Sequence, residues 1–360
     1  MTRIYLDDAG AAPVLPEVAA ALGDVPAGNP SSPHTEGRAA RAALDRARDI
    51  ASEAVGARRT EVTFLSSGTE AVNLALFGVE GPLVTWAAEH QSVLGAARHM
   101  QSRGRRVVVA PVDVSATADL DAIKPGVALV SIGLANNEVG TIQPVAEAIA
   151  RAHVVGARVH VDAGGGPRWI APPAGADLIS FSGHKLGAGR GGVLFVREGV
   201  RLQPLLYGGP QEWGRRAGHE DVAAACAVAV ALATCARERD RLAPLAYSQS
   251  LALQLVLRDI GATLTGADER LPNVASCVVT GRRGEDMLLA LDLAGIAASS
   301  GSACASGSLD PSHVLLAMGF GIEDALGSLR LSVGYATSDQ DVVAAGKIMY
   351  SVLGRARTHA

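Results

Sequence analysis

Ser180-Phe181-Ser182-Gly183-His184-Lys185 is the stretch on which the reading of this chain turns. Leu178 to Phe181 is an apolar run of strand length, and the Gly-His-Lys after it marks an abrupt end. A lysine placed after a strand is ordinarily a surface residue. Here another strand, Arg158 to Val161, runs on into Asp162, so that His160-Val161-Asp162 closes on an acid. Neighbouring parallel strands would aim that acid and that amine at one carboxyl edge of a sheet, where open α/β sheets bind ligands.

Outward from this pair, apolar strands alternate with helical patterns. Val62 to Leu65, Leu83 to Trp86, Val107 to Val109, Val127 to Ile132 and Val193 to Val196 read as further strands. Ala39 to Val55, Thr69 to Phe77, His90 to Met100 and Val145 to His153 read as helices. This order predicts an α/β fold whose sheet is mostly parallel and covered on both faces. The texture changes near Ala243, beyond which a smaller α/β unit is expected.

Composition limits the function classes. Of 360 residues, 48% are hydrophobic and 19% charged, which fits a packed core rather than disorder. The net charge of −4 offers no basic attraction, so no direct nucleic-acid binding is expected. Val222 to Ala236 is the longest near-apolar run; it is Ala-rich and short of the roughly 20 residues of a membrane span. No membrane residence is therefore expected. Met1 to Asp8 shows no apolar signal core, and the cysteines form no C-x-x-C pair, which leads to an expectation of a reducing, cytoplasmic location.

An acid opposite an amine suits pyridoxal phosphate. The lysine would form a Schiff base with the aldehyde, and the carboxylate would keep the pyridine nitrogen protonated, making the ring an electron sink. A metal held by His160, Asp162 and His184 is the other reading, but side chains alternate along a strand and no open three-ligand pattern appears. Gly187, Gly189 and Gly192 match G-x-G-x-x-G, yet they precede a strand, the reverse of a dinucleotide site.

Phosphate donors are available in Ser66-Ser67-Gly68-Thr69-Glu70, between a strand and a helix, where amides and hydroxyls form an anion site; plain N-capping by Ser67 or Thr69 explains the same residues. Ser182 and His184 would add donors. His90, in Glu89-His90-Gln91-Ser92, follows a strand at the same edge and could stack on a ring and move protons. Cys304 sits among small residues in Ser299-Ser300-Gly301-Ser302-Ala303-Cys304-Ala305-Ser306-Gly307, a setting for a reachable thiolate. Cys226, Cys235 and Cys277 read as inert, buried thiols.

Taken together with Tyr5-Leu6-Asp7, Gly28-Asn29-Pro30-Ser31-Ser32, Asn136-Asn137-Glu138-Val139-Gly140 and Arg330-Leu331-Ser332, these motifs resemble the cysteine desulfurases of the aminotransferase class V family. Those are pyridoxal phosphate enzymes of fold type I. The strings S-G-H-K and S-S-G-S-A-C, in this order, are the most specific. The resemblance implies a large cofactor-binding domain over 15–243 with a mostly parallel seven-stranded sheet. Residues 1–14 and 244–360 would form a smaller domain bearing the cysteine loop.

It also implies roles. Lys185 would hold the cofactor and shuttle protons, Asp162 would pair with its pyridine nitrogen, and His90 would stack on it. Gly68, Thr69, Ser182 and His184 would bind its phosphate, and Asn137 would lie beside it. Arg330 would clamp the substrate carboxylate, helped by Asn29 and Asn137. Cys304 would take sulfur from L-cysteine as a persulfide, leave L-alanine, and pass the sulfur to an acceptor protein. A homodimer is implied, with His219 facing the partner's phosphate site where relatives carry Thr. Gly165 also departs from the pattern, standing where relatives have a Gln. Neighbouring activities within the family are selenocysteine lyase and C–S lyase; a degenerate scaffold subunit is the non-catalytic alternative.

Overall fold

The computed structural model describes residues 3–301 and 310–354. In chain order the elements are β1 (Ile4–Tyr5), α1 (Pro16–Gly23), α2 (Thr35–Val55), β2 (Val62–Leu65), α3 (Gly68–Gly78), β3 (Leu83–Trp86), α4 (Gln91–Ser102), β4 (Val107–Ala110), β5 (Leu129–Gly133), α5 (Val145–Val154), β6 (Arg158–Asp162), β7 (Leu178–Ser182), α6 (Gly183–Leu186) and β8 (Gly192–Val196). They continue with α7 (Val222–Asp259), β9 (Thr263–Leu264), β10 (Val274–Val278), α8 (Gly284–Leu293), β11 (Ile296–Ala297), α9 (His313–Ala317), α10 (Ile322–Leu326), β12 (Ser328–Ser332) and α11 (Asp339–Leu353).

Seven strands form one sheet in the order β2-β8-β7-β6-β5-β3-β4. Only β8 runs against its neighbours, so the sheet is mostly parallel, as the apolar strand runs predict. Helices cover it because each presents an apolar face. In α2 that face is Ala40, Ala43, Leu44, Ala47 and Ala51, all buried at helical spacing, and Gly56 ends the helix with φ 66°. Since β2, β3, β6 and β7 share a direction, the residues following each of them meet at one edge.

A second core surrounds the three-stranded antiparallel sheet β12-β10-β9 and the parallel pair β1-β11. Ile4 and Leu6 from the start of the chain pack into it. The near-apolar run from Val222 to Ala236 lies in one helix that continues past Ala243 to Asp259, through Pro244. An interior proline costs a helix about 3 kcal/mol. Packing on both sides offsets that cost: Val228 and Leu232 lie in the first core, Leu253 and Leu257 in the second. The helix therefore ties the two cores together.

Candidate active site

The strand ends meet at a cavity of about 320 Å³, within the roughly 300–1,000 Å³ typical of small-molecule sites. Lys185 enters from the turn after β7, and Asp162 from the end of β6. Gly164 lies between them: a Cβ there would be 3.9 Å from both Asp162 Oδ1 and Lys185 Cδ. The acid and the amine thus line one space, as the strand order requires. At Gly165 a Cβ would come 2.9 Å from Lys185 Cβ, so the position keeps the lysine stem in place by having no side chain.

Asp162 is oriented from behind. Its Oδ1 accepts from the Ser180 hydroxyl at 3.0 Å and from Gly164 N at 3.2 Å. His160 Nε2 lies 3.1 Å from Ser180 Oγ, and its Nδ1 lies 2.9 Å from Ser131 Oγ. Complete burial drives His160 down to about 4, so the ring is neutral. A consistent assignment follows: Nε2–H donates to Ser180, which donates to Asp162, while Ser131 donates to Nδ1. His160 therefore serves the carboxylate from inside the sheet, and the three-residue ligand set His160, Asp162 and His184 is not assembled. Among the described residues no group of three or more His, Cys, Asp or Glu could hold a metal ion.

The N-terminus of α3 faces the same cavity. Ser67 caps it by accepting from Glu70 N, which leaves the Gly68 and Thr69 amides in the first turn, before the first helical bond. Gly68 is packed against Ser182, where a Cβ would be 2.9 Å from Ser182 Oγ. Ser182 Oγ is 2.9 Å from His184 Nδ1. These groups form one cluster of donors at a positive helix end, matched to an anion.

His90 caps α4, its Nδ1 accepting from Ser92 N, so its proton sits on Nε2. Burial and the charge of Lys185 hold His90 below its ordinary range. Glu89 beside it is buried, accepts from Gly133 N at 3.0 Å and is pushed up to about 8 by burial, with the charge of Asp162 adding to the rise. On the opposite wall Arg330 donates to Asn137 O at 2.7 Å and to Asp7 Oδ1 at 2.8 Å. Glu138 is buried, accepts from the Ser312 hydroxyl and is raised to about 7 by burial.

Lys185, Asp162, His90, Gly68, Thr69, Ser182, His184, Asn137 and Arg330 all line the cavity. Asn29 does not: it is exposed, and its Oδ1 accepts from Ser31 N instead. His219 is exposed on the loop before α7, outside the cavity wall. Cys304 lies outside the described residues. The other three cysteines are poor nucleophiles, because burial raises Cys226, puts Cys235 at about 11 and Cys277 at about 12. The sequence reading gave no role to Ser180, Ser131 and Asp7. Period-two alternation could have put Ser180 on the same face as Ser182, but only the Asp162–Ser180 strand register brings it to the acid.

An amine, a facing carboxylate, an imidazole and a cluster of anion donors lining one cavity fit pyridoxal phosphate. Comparison with known proteins agrees. Residues 4–344 match the family described as Aminotransferase class-V. The chain is 38% identical over 348 residues to "Cysteine desulfurase IscS 1" of Archaeoglobus fulgidus, covering 92% of this chain and 91% of that protein. It is 38% identical to "IscS-like cysteine desulfurase" of Mycobacterium tuberculosis, over 98% of this chain and 97% of the relative. Among solved structures, a "NIFS-LIKE PROTEIN" superposes with a TM-score of 0.91 at 28% identity, covering 98% and 99% of the two chains. "SspA in complex with cysteine" superposes with a TM-score of 0.80 at 26% identity, covering 92% and 98%.

Proposed function

Given that the chain belongs to the aminotransferase class-V family, we propose that this cavity carries out L-cysteine desulfuration, with Cys304 receiving the sulfur. The protein is a pyridoxal-phosphate-dependent cysteine desulfurase. The observation that carries the assignment is Lys185 and Asp162 facing one cavity across Gly164.

Bound pyridoxal phosphate supplies an electron sink for the substrate carbons. The residues do the rest. Lys185 anchors the cofactor, then holds and returns a proton at the substrate α-carbon. Asp162, fixed by Ser180, holds the positive charge of the ring nitrogen. The Gly68 and Thr69 amides, with Ser182 and His184, hold the phosphate. His90, neutral with Nε2 protonated, covers the ring and moves protons. Asn137 lines the substrate space, and Arg330 binds the α-carboxylate through its planar guanidinium. The Cys304 thiolate then attacks the substrate sulfur. An S–S bond forms and the C–S bond breaks; its electron pair stays on the substrate carbon, which gains a proton to give L-alanine. The persulfide is handed to a sulfur-acceptor protein.

The protein works as a homodimer in which His219 reaches the partner's phosphate site. Its position outside the cavity and the exposed Leu206, Tyr207 and Trp213 on the same loop support this. No helix among the described residues is long and apolar enough to cross a membrane; free, unpaired Cys226, Cys235 and Cys277 support a cytoplasmic site. Borohydride reduction of the cofactor-loaded protein followed by peptide mapping is expected to leave a pyridoxyl group on Lys185, and Cys304→Ala is expected to abolish alanine formation from cysteine. Label elsewhere, or turnover that survives Cys304→Ala, would overturn the respective assignment.

A further inference from the structure

We propose that Asp7 is a positioning residue for substrate recognition: it holds the Arg330 guanidinium in place at the cavity wall. The inference rests on the reading of Arg330 as the carboxylate clamp. Arg330 stands on β12, whose backbone pairs with Ser276 on one side and Ser299 on the other. Its side chain is only 6% exposed. Nη1 is fixed on Asn137 O and Nη2 on Asp7 Oδ1, but Nε is buried with no hydrogen-bond partner among the described residues. Arg330 lines the cavity, so the anion its planar guanidinium suits there is an amino-acid carboxylate.

Asp7 is itself held for this task. Gly10 N donates to Asp7 O at 3.0 Å, and Tyr5 Oη donates to Ala11 O at 2.7 Å, closing the turn. Gly10 packs onto the carboxylate, where a Cβ would come 2.6 Å from Asp7 Oδ2. Without Asp7 the guanidinium keeps only its bond to Asn137 O, and its place at the cavity wall is no longer fixed.

The test is calorimetric titration of L-alanine into the cofactor-loaded enzyme, together with cysteine kinetics. Loss of a hydrogen bond to a charged group predicts that Asp7→Ala weakens alanine binding and raises KM for cysteine roughly tenfold. The fall in kcat should be much smaller. Asp7→Asn, which still accepts from Nη2, should recover most of the affinity, a rescue that a merely structural role would not give. If Asp7→Ala does not fold, Gly10→Ala decides: its methyl pushes on the carboxylate and should raise KM in the same direction. Unchanged or tighter alanine binding in Asp7→Ala overturns the proposal. Arg330→Lys separates the two readings. If it weakens alanine binding while Asp7→Ala does not, only the role of Asp7 fails; if it too binds normally, the Arg330 clamp fails as well.

Discussion

The Ser180 hydroxyl donates to Asp162 Oδ1 across 3.0 Å, one strand away in register. The bond fixes the carboxylate that the proposed function pairs with the ring nitrogen of the cofactor. Behind it His160, lowered to about 4 by burial and so neutral near pH 7, leaves Ser180 no acceptor other than Asp162, because its Nε2 carries the proton that Ser180 Oγ receives. The acid is therefore oriented by a three-residue chain with no net charge of its own.

Ser180→Ala is expected to break this chain at its centre. His160 Nε2–H loses its acceptor inside the sheet, at a cost of about 1–3 kcal/mol. Asp162 loses one donor and gains freedom to rotate. Pyridoxal phosphate affinity should fall and the visible absorbance of the bound cofactor should shift. Cofactor titration followed by absorbance checks this; a variant with unchanged affinity and spectrum would show that Gly164 N alone holds Asp162.

Glu89 gives a pH dependence whose sign is fixed by its burial. Burial lifts it to about 8 despite the bond from Gly133 N. In the unfolded chain a glutamate titrates at about 4.3. Between those values the folded protein keeps a proton that the unfolded chain releases, so this group costs stability as pH rises through the window. Glu89→Gln keeps an acceptor for Gly133 N and removes the titration. Its thermal midpoint should gain on the parent from pH 5 to 8; parallel curves would show that Glu89 is ionised throughout.

Most of this was legible in sequence for a physical reason. Strands buried on both faces need unbroken apolar runs, so β2, β3, β6 and β7 stood out, and with them the acid and amine at their ends. What was not legible depends on register and on distant chain. Ser180 reaches Asp162 only through strand pairing, and Asp7 reaches Arg330 from the other end of the sequence. Asn29 shows the converse. Its motif pointed to the site, but its side chain is used by the Ser31 turn. Pro244 would break an isolated helix, and two cores packing on one helix override it.

Gly165→Ala tests the close fit beside the cofactor lysine. The backbone there, φ −102° and ψ 0°, accommodates alanine, so the effect is one of space alone. The new Cβ would sit 2.9 Å from Lys185 Cβ. Overpacking of this kind costs typically 1–3 kcal/mol, and here relief requires moving Lys185 itself. Cofactor-free Gly165→Ala protein should therefore regain the visible absorbance of the bound form more slowly than the parent when pyridoxal phosphate is added. An equal rate would mean that the 164–166 loop yields instead.

Glu212 is the clearest case of a buried charge that shapes the backbone. Together with Trp213 it adopts positive φ, 48° and 61°, a region disfavoured for both residue types. Arg48 grips the Glu212 carboxylate with two bonds, at 2.6 and 2.8 Å, and Phe64 N adds a third at 2.9 Å. The same guanidinium lies over the Phe64 and Trp213 rings. The strained turn leads on to Arg216, which pairs with Glu70 in the first turn of α3. Glu212→Ala would leave Arg48 charged and uncompensated in the interior, a loss of about 3–5 kcal/mol, whereas replacing both with apolar residues of similar volume costs far less. Thermal unfolding of Glu212→Ala and of the double variant Arg48→Met with Glu212→Leu separates the two contributions. If the turn needs the pair, the double variant recovers stability but still binds pyridoxal phosphate weakly, because Glu70 and the α3 N-terminus lose the support of Arg216. Full recovery of both would mean that the positive φ values are kept by the glycine-rich chain around them and not by the ion pair.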